Sequence, residues 1–163
     1  MNFEHLVEIN DPGNPLIEPL SRNQLWQGLV MRAENPELSV MGLDACVVLE
    51  RSSGYLRREL RFGKLRIHDE VFLTHLQSVR YEVMASENFP ASQLHMKIEE
   101  PAPEHLFLRF IYSSAMGEPE ELVREHLKQA YIESDNDTVA VIRELGKLGK
   151  LGDYTPSPSQ SPS

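Results

Sequence analysis

The chain has 163 residues, of which 40% are hydrophobic and 25% charged, and its formal net charge is −9. This balance is typical of a folded domain with a real core and excludes a largely disordered chain. The negative charge disfavours DNA, RNA and anionic membrane surfaces as partners, because those surfaces bind clustered Lys and Arg.

The remaining bulk features predict a cytoplasmic protein. Cys46 is the only cysteine, so no internal disulfide can form, which fits a reducing compartment. The first ten residues lack the basic and long apolar regions of a secretion signal. No uncharged apolar run approaches the ~20 residues that span a bilayer.

The first predicted element is a strand over Asn2–Asn10, where polarity alternates from residue to residue. His5 lies on the same predicted face as Phe3, Val7 and Ile9. The turn-forming residues Asp11–Pro15 end this strand.

A short helix around Trp26 is predicted next. Ser21 is its expected N-cap, and Gln24 three residues later completes a capping-box pattern. Asn35-Pro36 should end the helix, because proline excludes the helical conformation from the residue before it.

Six stretches with strand-like alternation then follow, separated by Gly- and Pro-containing turns. Their alternating charged and apolar faces favour antiparallel pairing with one face in water. They are Leu43–Glu50, Tyr55–Phe62, Ile67–Leu76, Val79–Met84, a strand marked by Leu94, Met96 and Ile98, and His105–Tyr112.

From Pro119, which suits a first helical position, the apolar spacing becomes helical and continues to about Leu145. Asp135–Asp137 has poor helix propensity and predicts a kink or a weak turn. Gly146 and Gly149 end the pattern. We expect one domain over residues 1–149 and a disordered Pro/Ser-rich tail over 150–163.

The predicted order is therefore one strand, one helix, six strands and one long helix. Sequential hairpins should bend a single sheet, with the last helix lying across it. Such an arrangement can leave a hollow between sheet and helix, and that hollow is the functional clue.

This order resembles the helix-grip fold of the Bet v 1-like and START-related superfamily, in particular its acetylaranotin-cluster branch. The resemblance covers about residues 2–147 and implies an α+β fold with about seven strands around a long C-terminal helix. It also implies a ligand cavity, since the superfamily includes lipid and hormone binders, aromatase/cyclases and co-chaperones. The glycine-rich loop of the plant allergens is absent from Arg61–Leu65. The stretches that carry the resemblance are Leu20–Leu29, Leu56–Gly63 and Ala130–Val139 with Ile142–Glu144.

Arg58 is the first candidate for a ligand contact. Strict alternation places it on the face of Leu56, Leu60 and Phe62, which should point inward. An inward guanidinium could anchor a ligand carboxylate, phenolate or enolate. The alternatives are an ion pair with an inward carboxylate, or a bulge that turns Arg58 outward.

His5 and His75 also fall on predicted inward faces, where a neutral imidazole could move a proton or simply form a hydrogen bond in the core. The spacing of the other histidines does not predict a metal site. No nucleotide-binding loop or serine-hydrolase motif occurs, so no cofactor is predicted.

Tyrosine hydroxyls are the other candidate polar contacts, and large apolar side chains are the candidate lining. Asp135 and Asp137 lie two residues apart on a helix, face different ways and do not predict a carboxylate pair. The candidates are Tyr81, Tyr112 and Tyr131 for the hydroxyls, and Trp26, Met84, Met96 and Phe110 for the lining.

These features predict a protein that binds a small hydrophobic or aromatic ligand between sheet and last helix. One alternative is a cyclase, dehydratase or isomerase of secondary metabolism, which needs two titratable groups within hydrogen-bond reach. Another is a protein-interaction module. Homodimer formation is left open.

Overall fold

The computed structural model describes residues 1–151. The predicted tail lies outside the described residues from 152 onward. The elements are β1 (Asn2–Glu8), α1 (Arg22–Glu34), a 3-10 turn (Pro36–Leu38), β2 (Ala45–Ser52), β3 (Tyr55–Phe62), β4 (Leu65–Thr74), β5 (Ser78–Val83), β6 (Ser92–Ala102), β7 (His105–Ser114) and α2 (Glu121–Lys147).

The seven strands form one antiparallel sheet in the order β1-β7-β6-β5-β4-β3-β2. Strands β2 to β7 pair sequentially as hairpins, and β1 joins the far side of β7. The predicted helix-grip architecture is therefore confirmed. The strand ends shift by a few residues: β2 starts at Ala45 instead of Leu43, and β4 ends at Thr74, so His75 lies in a turn.

Alternation along the strands sets which side chains face the helices. One row across the inner face, here called the inner row, consists of directly paired residues from five strands. Because side chains alternate between the two faces, all of its members point to the same side. They are Val71, Tyr81, Leu94, Tyr112 and Phe3.

Helix α1 begins with the predicted capping box. Ser21 accepts a hydrogen bond from the Gln24 backbone N–H at 3.0 Å, and the Gln24 side chain accepts from the Ser21 N–H at 2.9 Å. The helix ends at Glu34, directly before Asn35 and Pro36. The local sequence thus satisfies two backbone donors at the start of the helix without tertiary contacts.

Helix α2 differs from its prediction in two places. It starts at Glu121 with Glu120 as N-cap, so Pro119 precedes the helix instead of opening it. It is also continuous through Asp135–Asp137, where we predicted a kink. Tertiary contacts explain the continuity, because Asp135 is buried and hydrogen-bonded, which outweighs its weak helix propensity.

The core is closed where the two helices cross. Gly28 of α1 lies so close to Ile142 of α2 that a Cβ there would be 2.6 Å from the Ile142 Cγ2 atom. The fully buried side chains at this end include Leu25, Leu29 and Leu108. Glycine at position 28 therefore allows the close packing that seals this end.

Candidate functional site

The other end of the interior is less completely covered, and it is called the open end below. Leu94, Tyr112 and Phe3 of the inner row face inward but are only partly buried. The first ten residues of α2, Glu121–Ala130, include no buried side chain, and Leu122 is 72% exposed. The first half of α2 therefore covers the apolar inner face only partly, and incompletely covered apolar faces are typical of contact surfaces.

Asp135 is the centre of a hydrogen-bond cluster at this end. His5 donates from Nδ1 to Asp135 Oδ2 at 3.0 Å, and the Tyr112 hydroxyl donates to Asp135 Oδ1. The carboxylate is 1% exposed, so β1, β7 and α2 enclose it together. Two of the predicted site residues, His5 and Tyr112, therefore both form hydrogen bonds with Asp135. Helix propensity predicted a kink or a weak turn at this position.

Burial controls the protonation of this cluster. It raises the pKa of the Asp135 carboxyl, and the hydrogen bonds from Tyr112 and His5 offset part of the rise. Burial and the bond to Asp135 raise the pKa of the Tyr112 hydroxyl well above its ordinary value. The hydroxyl therefore stays protonated at neutral pH and acts as a donor.

Tyr131 covers the cluster from α2. Its ring stacks on Tyr112 with the centroids 4.0 Å apart and also stacks on Phe3 at 5.8 Å. His5 stacks on Phe110 at 6.3 Å. These rings give the open end a predominantly aromatic wall.

Arg58 lies inside, as alternation predicted, and it is fully paired. Its Nε and Nη2 donate to the two oxygens of Asp69 at 2.9 and 2.6 Å, and its Nη1 donates to the Ala33 carbonyl at 2.8 Å. Both side chains are almost completely buried. This is the ion-pair alternative named above, and a direct role for Arg58 as a ligand anchor stays a prediction.

Tyr81 is in contact with two arginines. The Cζ atoms of Arg32 and Arg58 are 5.0 and 5.2 Å from the centre of its ring, within the range of cation–π attraction. The side chain is 4% exposed, yet its hydroxyl has no hydrogen-bond partner among residues 1–151. An orphaned buried hydroxyl is uncommon and is explained when a ligand or water binds to it.

The other predicted residues have separate positions. Trp26 is buried in the core, and the His75 ring meets it edge-on at 6.0 Å, away from the Asp135 cluster. Met96 and Phe110 are fully buried on the inner face. Met84 follows the last residue of β5 and is 42% exposed, which is at odds with lining an enclosed chamber.

Four residues of this region were not among the predicted candidates: Asp135, Arg32, Phe3 and Leu94. Asp135 shares its helical stripe with Thr138, Val139 and Ile142, at intervals of three, four and seven residues, and that spacing is a signal for burial. Arg32 has no comparable signal, because its position depends on how α1 packs on Tyr81.

Within residues 1–151, no group of three or more His, Cys, Asp and Glu side chains is arranged to hold a metal ion. None of the helices in this part of the chain combines the length and the apolar character needed to cross a bilayer.

Comparison with known proteins identifies the family. The family model described as acetylaranotin biosynthesis cluster protein L (AtaL) matches residues 7–149. The chain belongs to the AtaL family. The branch that the sequence resembles is thereby confirmed. No match occurs among curated proteins.

Several solved structures share the fold of this AtaL-family chain. The di-domain ARO/CYC StfQ from the steffimycin biosynthetic pathway matches with a TM-score of 0.67 at 10% identity, over 91% of this chain and 51% of that protein, so the chain spans about half of its length. The Zhui aromatase/cyclase from Streptomyces sp. R1128 matches with a TM-score of 0.57 at 12% identity, over 99% of both chains. Ara h 8.0201 matches with a TM-score of 0.55 at 11% identity, over 88% of this chain and 98% of that one. At these identities the likeness concerns the fold.

Proposed function

We propose that this AtaL-family protein binds a small, largely apolar molecule between the inner row and the first half of α2. The observation that carries the proposal is the partial exposure of Leu94, Tyr112 and Phe3 on the inward face of the sheet. Inward apolar side chains left partly accessible in an otherwise closed core gain free energy when a ligand covers them, about 25 cal/mol for each Å² buried.

The chemistry of the wall favours an aromatic ligand. Rings from Phe3, Tyr112 and Tyr131 are stacked along the open end, and ring–ring contacts add to the free energy of burial. The hydroxyl of Tyr81 and the Asp135 cluster are the few polar groups that would orient it. The aromatase/cyclase name of one structure with this fold agrees with a ring-containing ligand.

Binding of the neutral fluorescent probe N-phenyl-1-naphthylamine tests the proposal. We expect saturable binding with one site per chain, seen as a rise in probe emission. Leu94→Trp places bulk on the inner row and should abolish binding, whereas Met84→Trp, at an exposed position after β5, should leave it unchanged. Equal binding by both variants, or none by the unmodified protein, would refute the proposal.

Native mass spectrometry of the gently purified protein would then identify the natural ligand. We expect a co-purifying small molecule that denaturation releases. Leu94→Trp should purify without that mass.

A second candidate function is proton transfer on the bound molecule. It is favoured by the contact of two titratable groups, His5 and Tyr112, with the buried Asp135. A His oriented by a carboxylate through Nδ1 is suited to accept a proton at its other nitrogen. We expect deuterium from D2O to enter the co-purified ligand in the presence of the protein, and not with His5→Gln. No exchange above the rate without protein would exclude this function and leave binding intact.

A further inference from the structure

We infer that the ligand carries an anionic oxygen group, a carboxylate or an acidic enol or phenol, and that Arg32 and the Tyr81 hydroxyl bind it. This inference rests on the proposed function, and it assigns the polar end of the ligand to α1 and β5. It differs from the prediction made from strand alternation, which places the anchor for a ligand oxygen at Arg58.

Arg32 forms no direct ion pair, although its charge attracts the buried carboxylate of Asp135 from a longer distance. Arg58 is neutralised by the buried carboxylate of Asp69 through two hydrogen bonds. Asp135 is held by His5 and Tyr112. Among residues 1–151, no carboxylate lies within ion-pair distance of Arg32, whose hydrogen bond to a side chain is a long one of 3.4 Å from Nε to Thr138 Oγ1.

Arg32 is a partly buried residue, although it lies in the last turn of a helix whose exposed face could have carried it. Its guanidinium lies over the ring of Tyr81, on the inward face of the sheet. A guanidinium that is partly removed from water without a carboxylate bonded to it is costly, and an incoming anion would relieve that cost.

The orphaned Tyr81 hydroxyl is the second, independent observation. It is buried, has no partner among the described residues, and belongs to the ring against which Arg32 packs. A hydroxyl donor beside a guanidinium matches an oxygen anion, because the guanidinium donates in a planar fork and the hydroxyl supplies one more donor. A neutral carbonyl would accept the same bonds without neutralising the charge.

Competition against N-phenyl-1-naphthylamine tests the inference with two isosteric competitors, 2-naphthoate and 2-naphthamide. They differ in charge and in little else. We expect naphthoate to displace the probe with at least about tenfold higher affinity, which corresponds to about 1.4 kcal/mol. Arg32→Gln should remove this preference, and Tyr81→Phe should reduce it several-fold.

Arg57→Gln is the matched control, since it removes the same charge from the neighbouring position to Arg58, on the outer face of β3. It should preserve the preference for naphthoate. If the unmodified protein binds the probe but both competitors displace it equally, or neither displaces it, the inference is wrong and the proposed function stands. If the unmodified protein does not bind the probe, the proposed function is wrong, and the inference that rests on it is wrong as well. The comparison of competitors on the unmodified protein needs no variant to fold.

Discussion

Two tyrosines of the inner row should respond in opposite directions to loss of the hydroxyl. The Tyr81 hydroxyl is buried without a partner among residues 1–151, whereas the Tyr112 hydroxyl donates to Asp135. A buried unsatisfied polar group costs about 1–3 kcal/mol, and breaking a hydrogen bond to a buried charged group costs a similar amount. The substitution Tyr81→Phe retains the aromatic ring and its contacts with both guanidinium groups.

We therefore expect Tyr81→Phe to raise the free energy of unfolding of the ligand-free protein by about 1 kcal/mol, or its Tm by roughly 2–4 °C. Tyr112→Phe should lower the free energy of unfolding by about 1–3 kcal/mol. Urea denaturation and calorimetry of ligand-free protein measure both changes. A loss of stability in Tyr81→Phe as large as that in Tyr112→Phe would show that the Tyr81 hydroxyl has a hydrogen-bond partner in the ligand-free protein and is not a vacant donor.

Three further predictions concern the packing and charge that surround the site. Gly28→Ala should lower the free energy of unfolding by about 1–3 kcal/mol in urea denaturation, because its Cβ would lie 2.6 Å from Ile142 Cγ2. In an Ile142→Ala background the same substitution should be nearly neutral. Equal losses of stability in both backgrounds would contradict the close contact. Arg58→Met should lower the free energy of unfolding by about 3–5 kcal/mol, because it leaves Asp69 buried without its partner. The double variant Arg58→Met/Asp69→Leu should recover most of that loss. A double variant as unstable as the single one would contradict this explanation. Burial raises the pKa of Asp135 in the folded protein above the ordinary value of ~3.9 that holds in the unfolded chain. At pH values between the unfolded and the folded pKa, the folded state binds more protons than the unfolded state, so stability falls as the pH rises. Asp135→Asn should lack this decline when the free energy of unfolding is measured from pH 3.5 to 7, and parallel curves for both proteins would show that Asp135 does not cause it.

Much of the fold could be predicted because its signals are local. The capping box of Ser21 and Gln24 forms within one helical turn, and Asn35-Pro36 ends the same helix by backbone sterics. Alternation in β3 placed Arg58 on the buried face. The Gly63-Lys64 turn joins β3 to β4, and counting outward from it pairs position 58 with 69, so the buried ion pair is also implied by hairpin register.

The candidate site was harder to predict because its contacts join distant parts of the chain. His5 and Asp135 are 130 residues apart, and nothing local shows that they meet. Helix propensity predicts a kink or weak turn at Asp135, whereas the spacing of this residue to the buried Thr138 and Ile142 fits the buried helical position that the structure shows. Propensity is the weaker of the two signals, since packing routinely outweighs it.

The two arginines that contact Tyr81 differ in how they are bonded. Arg58 uses Nε and both Nη atoms on Asp69 and the end of α1, and it thereby fixes β3, β4 and the helix relative to one another. Transfer of these donors to a ligand would break contacts that join three elements of the fold. Arg32 is held by ring contact and one long hydrogen bond, so it can form new bonds at little structural cost. Tyr81 packs against both, and so connects the buried ion pair to the guanidinium that we infer binds the ligand.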